Sequence, residues 1–426
     1  MSGFEILFYY PKENRYSVNS LLASIEDMDL PPVSLMERID DIKNYVREKA
    51  SPQNKLILFF SLNSIQAVYL EDVFRGLKGI GGNNLVMIAG GPHATGLPNH
   101  LLDVGFDIVA LHDGEEVIRD LIKSFIKGDD LRNVKNIIFK DEKTDIIKTG
   151  IGNPVDINMF RSFPVTRWKI FSPIEISRGC PYGCYYCQTP QIFGRRMRHR
   201  SVDKILEMVE IMARAGKKDV RFITPNALAY GSRGVNAEYE KIVELLRNIR
   251  NIIGKEGRIF FGTFPSEIRP EFVNEEAVRI VKGFADNDNV TIGAQSGSRR
   301  ILERIGRKHS PEDVIKAVKL FMNAGFRVNV DLIFGLPEEG VEDLRETLIF
   351  VETLVKLGAR IHAHYFLPLP GTPLATSSPK PVPPIILEKL QELTGRGHLF
   401  GNWREQMRIS SSLCILNQRY AFQLMN

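Results

Sequence analysis

The sequence has few cysteines, a small net charge and no long apolar run. No stretch approaches the roughly 18 consecutive apolar residues of a membrane-spanning helix, and no basic leader precedes the first apolar run. We therefore expect a cytoplasmic protein without membrane insertion. The formal net charge of +5 is small for 426 residues, so nucleic acid is an unlikely partner on charge alone. A content of 43% hydrophobic and 25% charged residues is typical of a globular chain.

The length of the chain exceeds that of one ordinary domain. We predict a first domain over residues 1–150 and a second over residues 168–376. A linker rich in proline and polar side chains joins them over residues 151–167. Residues 377–426 form a C-terminal extension.

Three of the four cysteines stand close together, as Cys180, Cys184 and Cys187, in the spacing C-x-x-x-C-x-x-C. Three thiolates on one short loop can hold three irons of a cubane cluster and leave the fourth iron open. A zinc site that lacks one ligand and a chance spacing are the alternatives. The fourth cysteine, Cys414, is expected to be a buried apolar side chain. This use of cysteine indicates metal binding in a reducing compartment rather than disulfides.

In the first domain, short apolar runs alternate with amphipathic stretches. Strands are predicted at Glu5–Tyr10, Lys55–Ser61, Asn84–Ala89 and Phe106–Leu111. Helices are predicted at Val18–Asp27, Ile39–Lys49, Ser64–Leu77 and Glu115–Lys127. This alternation predicts an α/β fold with a doubly wound, Rossmann-like parallel sheet. A hairpin is predicted to follow at Asn136–Lys140 and Asp145–Lys148.

The second domain repeats a strand–helix unit. Strands are predicted at Pro173–Ser177, Asp219–Thr224, Arg258–Phe264, Val290–Gln295, Val328–Phe334 and Ile361–Phe366. Helices are predicted at Val202–Ala215, Glu238–Ile253, Glu275–Gly283, Pro311–Ala324 and Val341–Leu357, with a further helix at Ile385–Glu392 in the extension. Six such units predict a partial (β/α)6, TIM-like barrel with its chemistry at the carboxyl ends of the strands.

The cysteine loop, with Tyr186 directly before the third cysteine, resembles the C-x-x-x-C-x-aromatic-C signature of the radical S-adenosylmethionine (radical SAM) superfamily. The resemblance extends over about residues 170 to 375. It implies that Cys180, Cys184 and Cys187 hold a 4Fe-4S cluster whose open iron binds S-adenosylmethionine. It also implies that Tyr186 lies beside this cofactor.

Motifs at the ends of the later strands extend the resemblance. Thr224 and Asn226 lie where the family has a Gly-Gly-Glu-like segment that receives the methionine ammonium, although this sequence departs from that segment. Gln295 and Ser296 begin a Ser-Gly-Ser turn expected to bind the carboxylate of S-adenosylmethionine. Gly335 belongs to a turn against which adenine packs. At Thr224 and Asn226 the alternative is an ordinary turn at a strand end.

Three further features have open interpretations. Glu267 and Arg269 are expected to pair with each other or to contact the cofactor or substrate; a simple surface ion pair is an equal alternative. Glu338 stands where the family often has glycine. The basic run Gly194–Arg200 would suit a phosphate-bearing substrate, or it is a solvated positive patch.

The first domain resembles cobalamin-binding domains through Ser61 after one strand and the pair Gly90 and Gly91 after the next. In such domains these residues surround the nucleotide tail, and glycine lets a ligand approach the backbone. The D-x-H-x-x-G motif that supplies a histidine to cobalt is absent, so the resemblance implies cobalamin without that ligand. His93 is interpreted as a loop residue near the tail. A vestigial or substrate-binding Rossmann-like domain is the alternative.

These resemblances together imply a radical SAM enzyme that methylates an unactivated carbon with methylcobalamin. Methylthiotransferases need a second group of three cysteines in the N-terminal domain, and residues 1–179 contain no cysteine. A cobalamin-dependent oxidative cyclase or ring-forming enzyme is the alternative, and a metal-stabilised RNA-binding protein is a more remote one. The expected partners are an unknown substrate and an electron donor such as ferredoxin or flavodoxin.

Overall fold

The structure is a computed structural model that describes residues 3–141, 145–232 and 236–423, with the side chains of residues 422 and 423 left out. Two α/β units follow each other along the chain, and a long C-terminal helix contacts both. Of the helices in this described part, none combines the length and the apolar composition needed to span a membrane.

The first unit is built on one seven-stranded sheet. Its strands are β1 Gly3–Tyr9, β2 Val33–Met36, β3 Asn54–Ser61, β4 Leu85–Gly90, β5 Ile108–Ala110, β6 Ile137–Lys140 and β7 Ile146–Lys148. They lie in the order β2-β1-β3-β4-β5-β6-β7. The first five are mutually parallel, and β6 runs antiparallel to β5 and β7. The predicted parallel sheet and the predicted hairpin are confirmed, and β2 is an additional strand that the sequence did not reveal.

Helices cover both faces of this sheet. They are α1 Arg15–Ser24, α2 Ile39–Lys49, α3 Ser64–Tyr69, α4 Glu71–Gly81, α5 Pro92–Gly96, α6 Pro98–Val104 and α7 Glu115–Lys127. One apolar core holds side chains of α2, α4 and α6, and the other holds those of α1 and α7, so the sheet is doubly wound. The helix predicted at 64–77 is two helices that meet at Leu70.

Within its described residues the second unit contains nine strands. They are β8 Ile174–Glu175, β9 Ser177–Arg178, β10 Arg198–His199, β11 Asp219–Ile223, β12 Arg258–Phe260, β13 Asn289–Gln295, β14 Arg327–Phe334, β15 Arg360–Tyr365 and β16 Leu399–Phe400. Parallel strands β8, β11 and β12 form one sheet, and parallel strands β13 to β16 form another. A parallel bridge between Ile268 and Ile292 joins the two sheets. The six predicted strands therefore follow one another in chain order, and their curvature into a partial barrel stays a prediction.

The helices of the second unit alternate with these strands. They are α8 Thr189–Phe193, α9 Val202–Arg214, α10 Tyr239–Ile253, α11 Glu275–Phe284, α12 Arg299–Arg304, α13 Pro311–Asn323, α14 Val341–Lys356, α15 Pro384–Gly395 and α16 Trp403–Gln423. The strands turn one face toward these helices and form the largest apolar core with them. Strand residues of the opposite face include the polar side chains of Asp331, His362 and His364.

The C-terminal helix α16 was not expected from the sequence. Its Trp403 is buried in the core of the second unit. Farther along, Ser410 Oγ donates to the carbonyl of Phe366 at 2.6 Å, and Tyr420 donates to Asp103 of the first unit at 2.9 Å. The helix therefore connects the end of the last long strand to the N-terminal unit.

Residues 151–167 contain no helix or strand, in agreement with a linker, although the exact domain boundaries stay predictions. Beside the linker, a buried ionic cluster joins the two units. Arg178 at the end of β9 contacts Asp113, just before α7, at 2.8 Å and Glu115, the first residue of α7, at 2.6 Å. It also contacts Glu175 at 2.6 Å. Arg198 contacts the same Asp113 at 2.7 Å.

Candidate functional site

The three-cysteine loop connects β9 to α8 and is folded tightly on itself. The amide of Cys180 donates to the carbonyl of Gly194 at 3.2 Å, and the amide of Cys187 donates to that of Cys184 at 3.0 Å. Gly179 has a φ of 84°, and a Cβ there would lie 2.4 Å from the carbonyl oxygen of Arg196. Glycine is therefore required at this position. Cys184 is buried and the other two cysteines are half-buried.

The sulfur positions favour a cluster over zinc. Among the described residues, the sulfurs of these three cysteines do not all lie within 4.8 Å of one another. Sulfurs on one tetrahedral zinc ion, at Zn–S about 2.3 Å, would lie only about 3.8 Å apart. Burial raises the pKa of the Cys180 and Cys187 thiols. A larger group bearing several positive charges fits this loop better, because it would fill the wider spacing and favour the thiolates.

Two buried arginines flank the middle cysteine. One Nη1 atom of Arg269 and one of Arg307 each lie 3.8 Å from Sγ of Cys184. Arg269 also pairs with Glu271 at 2.6 Å, and Arg307 donates to the carbonyl of Gly293 at 2.6 Å. Positive charge at this distance stabilises a thiolate. No sequence motif indicated Arg307, because it follows helix α12 rather than a strand.

The structure places Thr224 and Asn226 at the expected strand end, and both are buried. Asn226 Oδ1 accepts a hydrogen bond from the amide of Arg269 at 3.2 Å, whereas its Nδ2 is buried without a partner. The amide of Arg269 thus occupies one of the two lone pairs of Asn226 Oδ1, and Nδ2 is an additional open donor. Thr224 Oγ1 donates to the carbonyl of Asn226 at 3.2 Å.

Gln295 and Ser296 differ in whether their side chains have hydrogen-bonding atoms without a partner. Gln295 occupies the left-handed region with a φ of 72° at an irregularity of β13, and its buried Oε1 has no hydrogen-bond partner. Such backbone strain is typical of functional sites. The hydroxyl of Ser296 is engaged within the turn, with Thr347 Oγ1 at 3.3 Å and the amide of Ser298 at 3.1 Å. Gln295 is thus the residue of this turn with an open side-chain acceptor.

Gly335 shapes a turn around a buried acid. Its φ is 76°, and a Cβ there would lie 2.5 Å from the ring of Tyr365. The group packed closely against this glycine is therefore a side chain of the protein itself. The amide of Gly335 donates to Glu339 Oε2 at 2.9 Å. Burial raises the pKa of Glu339 to about 8. The neighbouring Glu338 has a φ of 63°, which explains why glycine suits that position.

A polar group that the sequence did not reveal lies on adjacent strands β14 and β15. Asp331, His362 and His364 bring ligand atoms within 4.8 Å of one another, and Asp331 Oδ1 lies 2.9 Å from His362 Nδ1. Burial, and then the charge of Asp331, raise the pKa of Glu267 to about 7. The expected pair of Glu267 with Arg269 is wrong, because Arg269 pairs with Glu271. Two histidines two residues apart on one strand are the signal that could have indicated this group.

A large cleft opens between the two units at the carboxyl ends of β1, β3 and β4. The cleft is open to solvent. The predicted residues Ser61, Gly90 and Gly91 all line it, and Ser61 Oγ lies 2.9 Å from Ser17 Oγ. The wall is mainly apolar and includes Phe8, Phe59, Ile88, Val117, Ile118 and Leu121. The second unit closes the cleft with Arg178, Ile192 and Phe193.

In the glycine-rich loop of residues 90–96, two of the three glycines are needed for close contacts with other parts of the protein. Gly91 has a φ of 93°, and a Cβ there would lie 2.8 Å from the amide nitrogen of Leu62. At Gly96 a Cβ would lie 2.4 Å from the carbonyl oxygen of Pro370 in the second unit. A Cβ on Gly90 would be 3.8 Å from Ala110, an ordinary contact. Gly90 is therefore the position of this loop that tolerates a side chain.

Two histidines of the first unit lie in different places. His93 is fully buried away from the cleft lining, with Nε2 2.9 Å from His100 Nδ1, so its expected place near a nucleotide tail is not supported. His112 lines the cleft, and its Nδ1 lies 3.1 Å from the carbonyl of Ile192. A carbonyl can only accept, so Nδ1 carries the proton.

The basic run does not form one continuous patch. Arg198 and Arg200 point into the protein, where Arg198 contacts Asp113 and Arg200 donates to the carbonyls of Glu175 at 2.9 Å and Phe160 at 2.6 Å. Arg195 and Arg196 are exposed. The expected solvated patch is therefore limited to these two side chains.

Comparisons with known proteins agree with this geometry. Residues 174–351 match the model of the Radical SAM superfamily. An uncharacterized methyltransferase of Pyrococcus horikoshii is 26% identical over 283 residues, which is 64% of this chain and 58% of the relative. A tRNA-2-methylthio-N(6)-dimethylallyladenosine synthase of a Sulfurihydrogenibium species is 27% identical over 55% of this chain and 52% of its own length. The chain thus spans about three fifths of the P. horikoshii relative and about half of the synthase.

Two solved structures share the fold. The radical S-adenosylmethionine methyltransferase TsrM from Kitasatospora setae, solved with cobalamin and a [4Fe-4S] cluster, superposes with a TM-score of 0.70 at 17% identity, over 88% of this chain and 77% of that chain. The cobalamin-dependent radical enzyme OxsB superposes with a TM-score of 0.65 at 21% identity, over 83% of this chain and 52% of its own. The match to the superfamily model confirms the predicted resemblance for residues 174–351, which form a radical SAM domain.

Proposed function

We propose that the protein is a cobalamin-dependent radical SAM enzyme that methylates an unactivated carbon of its substrate. The observation that carries the proposal is the position of the cleft, which both units line. Arg178 lines this cleft and stands two residues before Cys180. A ligand in the cleft would therefore lie beside the cysteine loop.

The cysteine loop fits a 4Fe-4S cluster by donor type, spacing and charge. Cys180, Cys184 and Cys187 would hold it, and when bound it supplies the electron that cleaves S-adenosylmethionine to a 5′-deoxyadenosyl radical. Arg269 and Arg307 stabilise the thiolate of Cys184. The free Nδ2 of Asn226 and the free Oε1 of Gln295 offer a donor and an acceptor to S-adenosylmethionine. Both lie at the carboxyl ends of the strands of the second unit, which we call the mouth. Tyr186 and Ser296 would border the same cofactor, and Gly335 would shape the turn near it.

The cleft fits cobalamin by its position at the strand ends and by Ser61, Gly90 and Gly91 in its lining. Protein cores are close-packed, so a gap between a sheet and its covering helices α1 and α7 is unusual and indicates a ligand. Ser61, Gly90 and Gly91 would border the nucleotide tail, and the apolar wall would exclude water. When bound, methylcobalamin supplies the methyl group. The neighbouring structures that bind cobalamin support this assignment.

The relatives named as a methyltransferase and as a tRNA-2-methylthio-N(6)-dimethylallyladenosine synthase support methyl transfer. Residues 1–179 contain no cysteine, which disfavours the methylthio reaction. The wide sulfur spacing and the superfamily match disfavour a metal-stabilised RNA-binding protein. We also propose a cytoplasmic location, because a reducing compartment keeps the three thiols free.

The product ratio tests this function without knowledge of the substrate. Protein reconstituted anaerobically with iron, sulfide and cobalamin is incubated with S-adenosylmethionine and cell extract. Methyl transfer uses one S-adenosylmethionine for the radical and one to remethylate cobalamin, so 5′-deoxyadenosine and S-adenosylhomocysteine should form in near equal amounts. A product heavier by one methyl group should accumulate. Formation of 5′-deoxyadenosine alone would instead indicate the cyclase alternative.

A further inference from the structure

We propose that a small acidic protein carrying a one-electron donor docks on the outer face of the cysteine loop. This donor face consists of Tyr185, Arg195, Arg196, Gly306 and Lys308. The inference rests on the proposed function, because a chain that loads no cluster needs no such partner.

The reaction itself requires an electron from outside the chain. Breaking one sulfonium carbon–sulfur bond to give methionine and a 5′-deoxyadenosyl radical takes up one electron. Amino-acid side chains are not reductants of sufficient strength for this step. The electron must therefore come from a reduced flavin or iron–sulfur protein, which leaves oxidised by one electron.

The donor face lies directly on the loop that carries the thiols. The guanidinium of Arg195 covers the backbone of Gly183, where a Cβ would meet its Nη2 at 1.8 Å. A Cβ on Gly306 would lie 3.4 Å from the ring of Tyr185 and 3.2 Å from the carbonyl of Gly183. Tyr185 stands between two of the cysteines and is 44% exposed. A partner seated here would reach the cysteine loop without passing through the cleft or the strand ends.

The charge of the donor face is unbalanced. Arg195, Arg196 and Lys308 are exposed, and none of them forms an ion pair within the described part of the chain. On the adjoining helix α12, by contrast, exposed arginines have acidic partners: Arg299 contacts Glu312 at 2.8 Å, and Arg304 contacts Glu338 at 3.4 Å. Unmatched charges of one sign on neighbouring segments of a surface are typical of weak, electrostatically steered encounters. The sign here fits an acidic partner.

An RNA partner is less well supported by the same residues. Nucleic-acid surfaces combine many phosphate contacts along an extended basic track. Here Arg198 and Arg200 of the run are turned inward, and the net charge of the whole chain is only +5. A small basic face beside a redox loop suits the small interfaces of electron-transfer proteins.

A charge reversal at the donor face tests the proposal. The variant is Arg195→Glu with Arg196→Glu, and the matched control is Lys217→Glu with Lys218→Glu. The control lysines are also exposed and lack ion pairs in the described chain, but they precede β11 at the amino ends of the strands. Cleavage of S-adenosylmethionine is followed as 5′-deoxyadenosine, driven either by reduced flavodoxin or by dithionite. Flavodoxin binding is measured separately by calorimetry.

We expect the donor-face variant to lose about tenfold or more of the flavodoxin-driven rate at low salt, since steering contributes on that order. Its dithionite-driven rate and its iron content should equal those of the natural sequence, and the control should be unaffected with both reductants. Raising ionic strength from about 0.01 to 0.15 M shortens the screening length from about 30 to 8 Å and should weaken flavodoxin binding to the natural sequence.

Several results would overturn the donor face. Flavodoxin binding and flavodoxin-driven cleavage that are unchanged in the variant would do so, as would equal losses with both reductants, which would indicate a damaged loop. Loss of binding to mixed tRNA, with flavodoxin binding intact, would assign the face to RNA. If dithionite drives no cleavage in the natural sequence, the proposed function fails, and the calorimetric comparison still decides whether the face binds the donor.

Discussion

The mouth, at the carboxyl ends of the strands of the second unit, and the cleft between the units differ in whether their buried polar atoms have hydrogen-bond partners. At the mouth, Asn226 Nδ2 and Gln295 Oε1 are buried without hydrogen-bond partners. In the cleft, Ser61 bonds Ser17, and Arg178 is surrounded by carboxylates. An unsatisfied buried polar atom costs about 1–3 kcal/mol, so the mouth requires a polar ligand, whereas the cleft offers apolar surface and room. From this difference we propose that S-adenosylmethionine binds at the mouth and a large cofactor in the cleft.

The strongest way to break this comparison is to remove the cysteines. Replacing any one of Cys180, Cys184 or Cys187 by Ala should abolish the 4Fe-4S cluster and the cleavage of S-adenosylmethionine, because no fourth cysteine lies nearby in sequence. Iron and sulfide content, the electron-spin spectrum and 5′-deoxyadenosine report the effect. The control Cys414→Ala should retain all three, since Cys414 is buried in the second unit with Sγ 3.7 Å from the carbonyl of Thr376. Cleavage that survives in all three variants, or stoichiometric zinc in anaerobically purified protein, would contradict the cluster.

Local sequence patterns located the fold well where the pattern alone determines the element. The helices Ile39–Lys49 and Glu115–Lys127 have the predicted bounds because their apolar spacing is regular and their ends are charged. Strand β2 was missed because Val33–Met36 is short and half-buried, and its pairing with β1 makes it a strand. Helix α16 was missed because its contacts with Phe366 and Asp103 are distant in sequence.

Arg178 joins the two regions, and its removal should have the next largest effect. The change Arg178→Met leaves Glu115 buried without its main cationic partner; burial alone would raise the pKa of Glu115, and Arg178 lowers it to about 2. Breaking a buried pair in this way costs about 3–5 kcal/mol. Urea unfolding at pH 7 should show a loss of that order in the free energy of unfolding.

The control for this change is Arg214→Met. Arg214 forms an exposed pair with Glu210 at 2.9 Å on helix α9, and such pairs contribute less than about 1 kcal/mol. Equal stabilities of the two variants would show that the ionic cluster between the units is dispensable.

The cleft can be tested apart from the mouth by filling it. Ser17 is an exposed residue of the lining, so Ser17→Trp should occupy the cleft and weaken cobalamin retention by about tenfold or more, which corresponds to about 1.4 kcal/mol. The control Ser412→Trp places the same side chain on an exposed position of helix α16. Gly91→Trp is a poorer test, because a Cβ there already meets Leu62. Unchanged cobalamin retention in Ser17→Trp, with intact cluster content, would contradict the assignment of the cleft.

The reciprocal change at the mouth is Gln295→Ala. It removes the open acceptor and should weaken binding of S-adenosylmethionine by about tenfold, the value of one hydrogen bond in a buried site, while cobalamin retention stays unchanged. Equilibrium binding to the cluster-loaded protein measures the first, and absorption after gel filtration measures the second. Arg299→Ala, at an exposed residue four positions farther along the chain, serves as the control. A parallel loss of both cofactors would show that the two regions are not separate sites.

The site was predictable from sequence only where residues are close along the chain. The cysteine spacing is local, so the proposed ligands Cys180, Cys184 and Cys187 could be predicted from it. The contacts of Arg269 and Arg307 with Cys184 span 85 and 123 residues and depend on the fold. The role of Asn226 could not be read either, because the amide of Arg269 decides which atom of its side chain stays free.

The last expected effect depends on pH and concerns the buried acid under the turn of Gly335. Burial raises the pKa of Glu339 to about 8, so the folded protein holds a proton there that the unfolded chain has released above its ordinary pKa near 4.5. Stability from this group is therefore greatest at low pH and is lost as pH rises toward 8. Glu339→Gln cannot ionise and keeps an acceptor for the amide of Gly335. Relative to the natural sequence it should gain about 1–3 kcal/mol between pH 5 and pH 8, measured by urea unfolding of the apoprotein. Glu338→Gln, at the exposed neighbouring residue, should change little over the same range, and parallel pH profiles for Glu339→Gln and the natural sequence would show that Glu339 is ionised throughout.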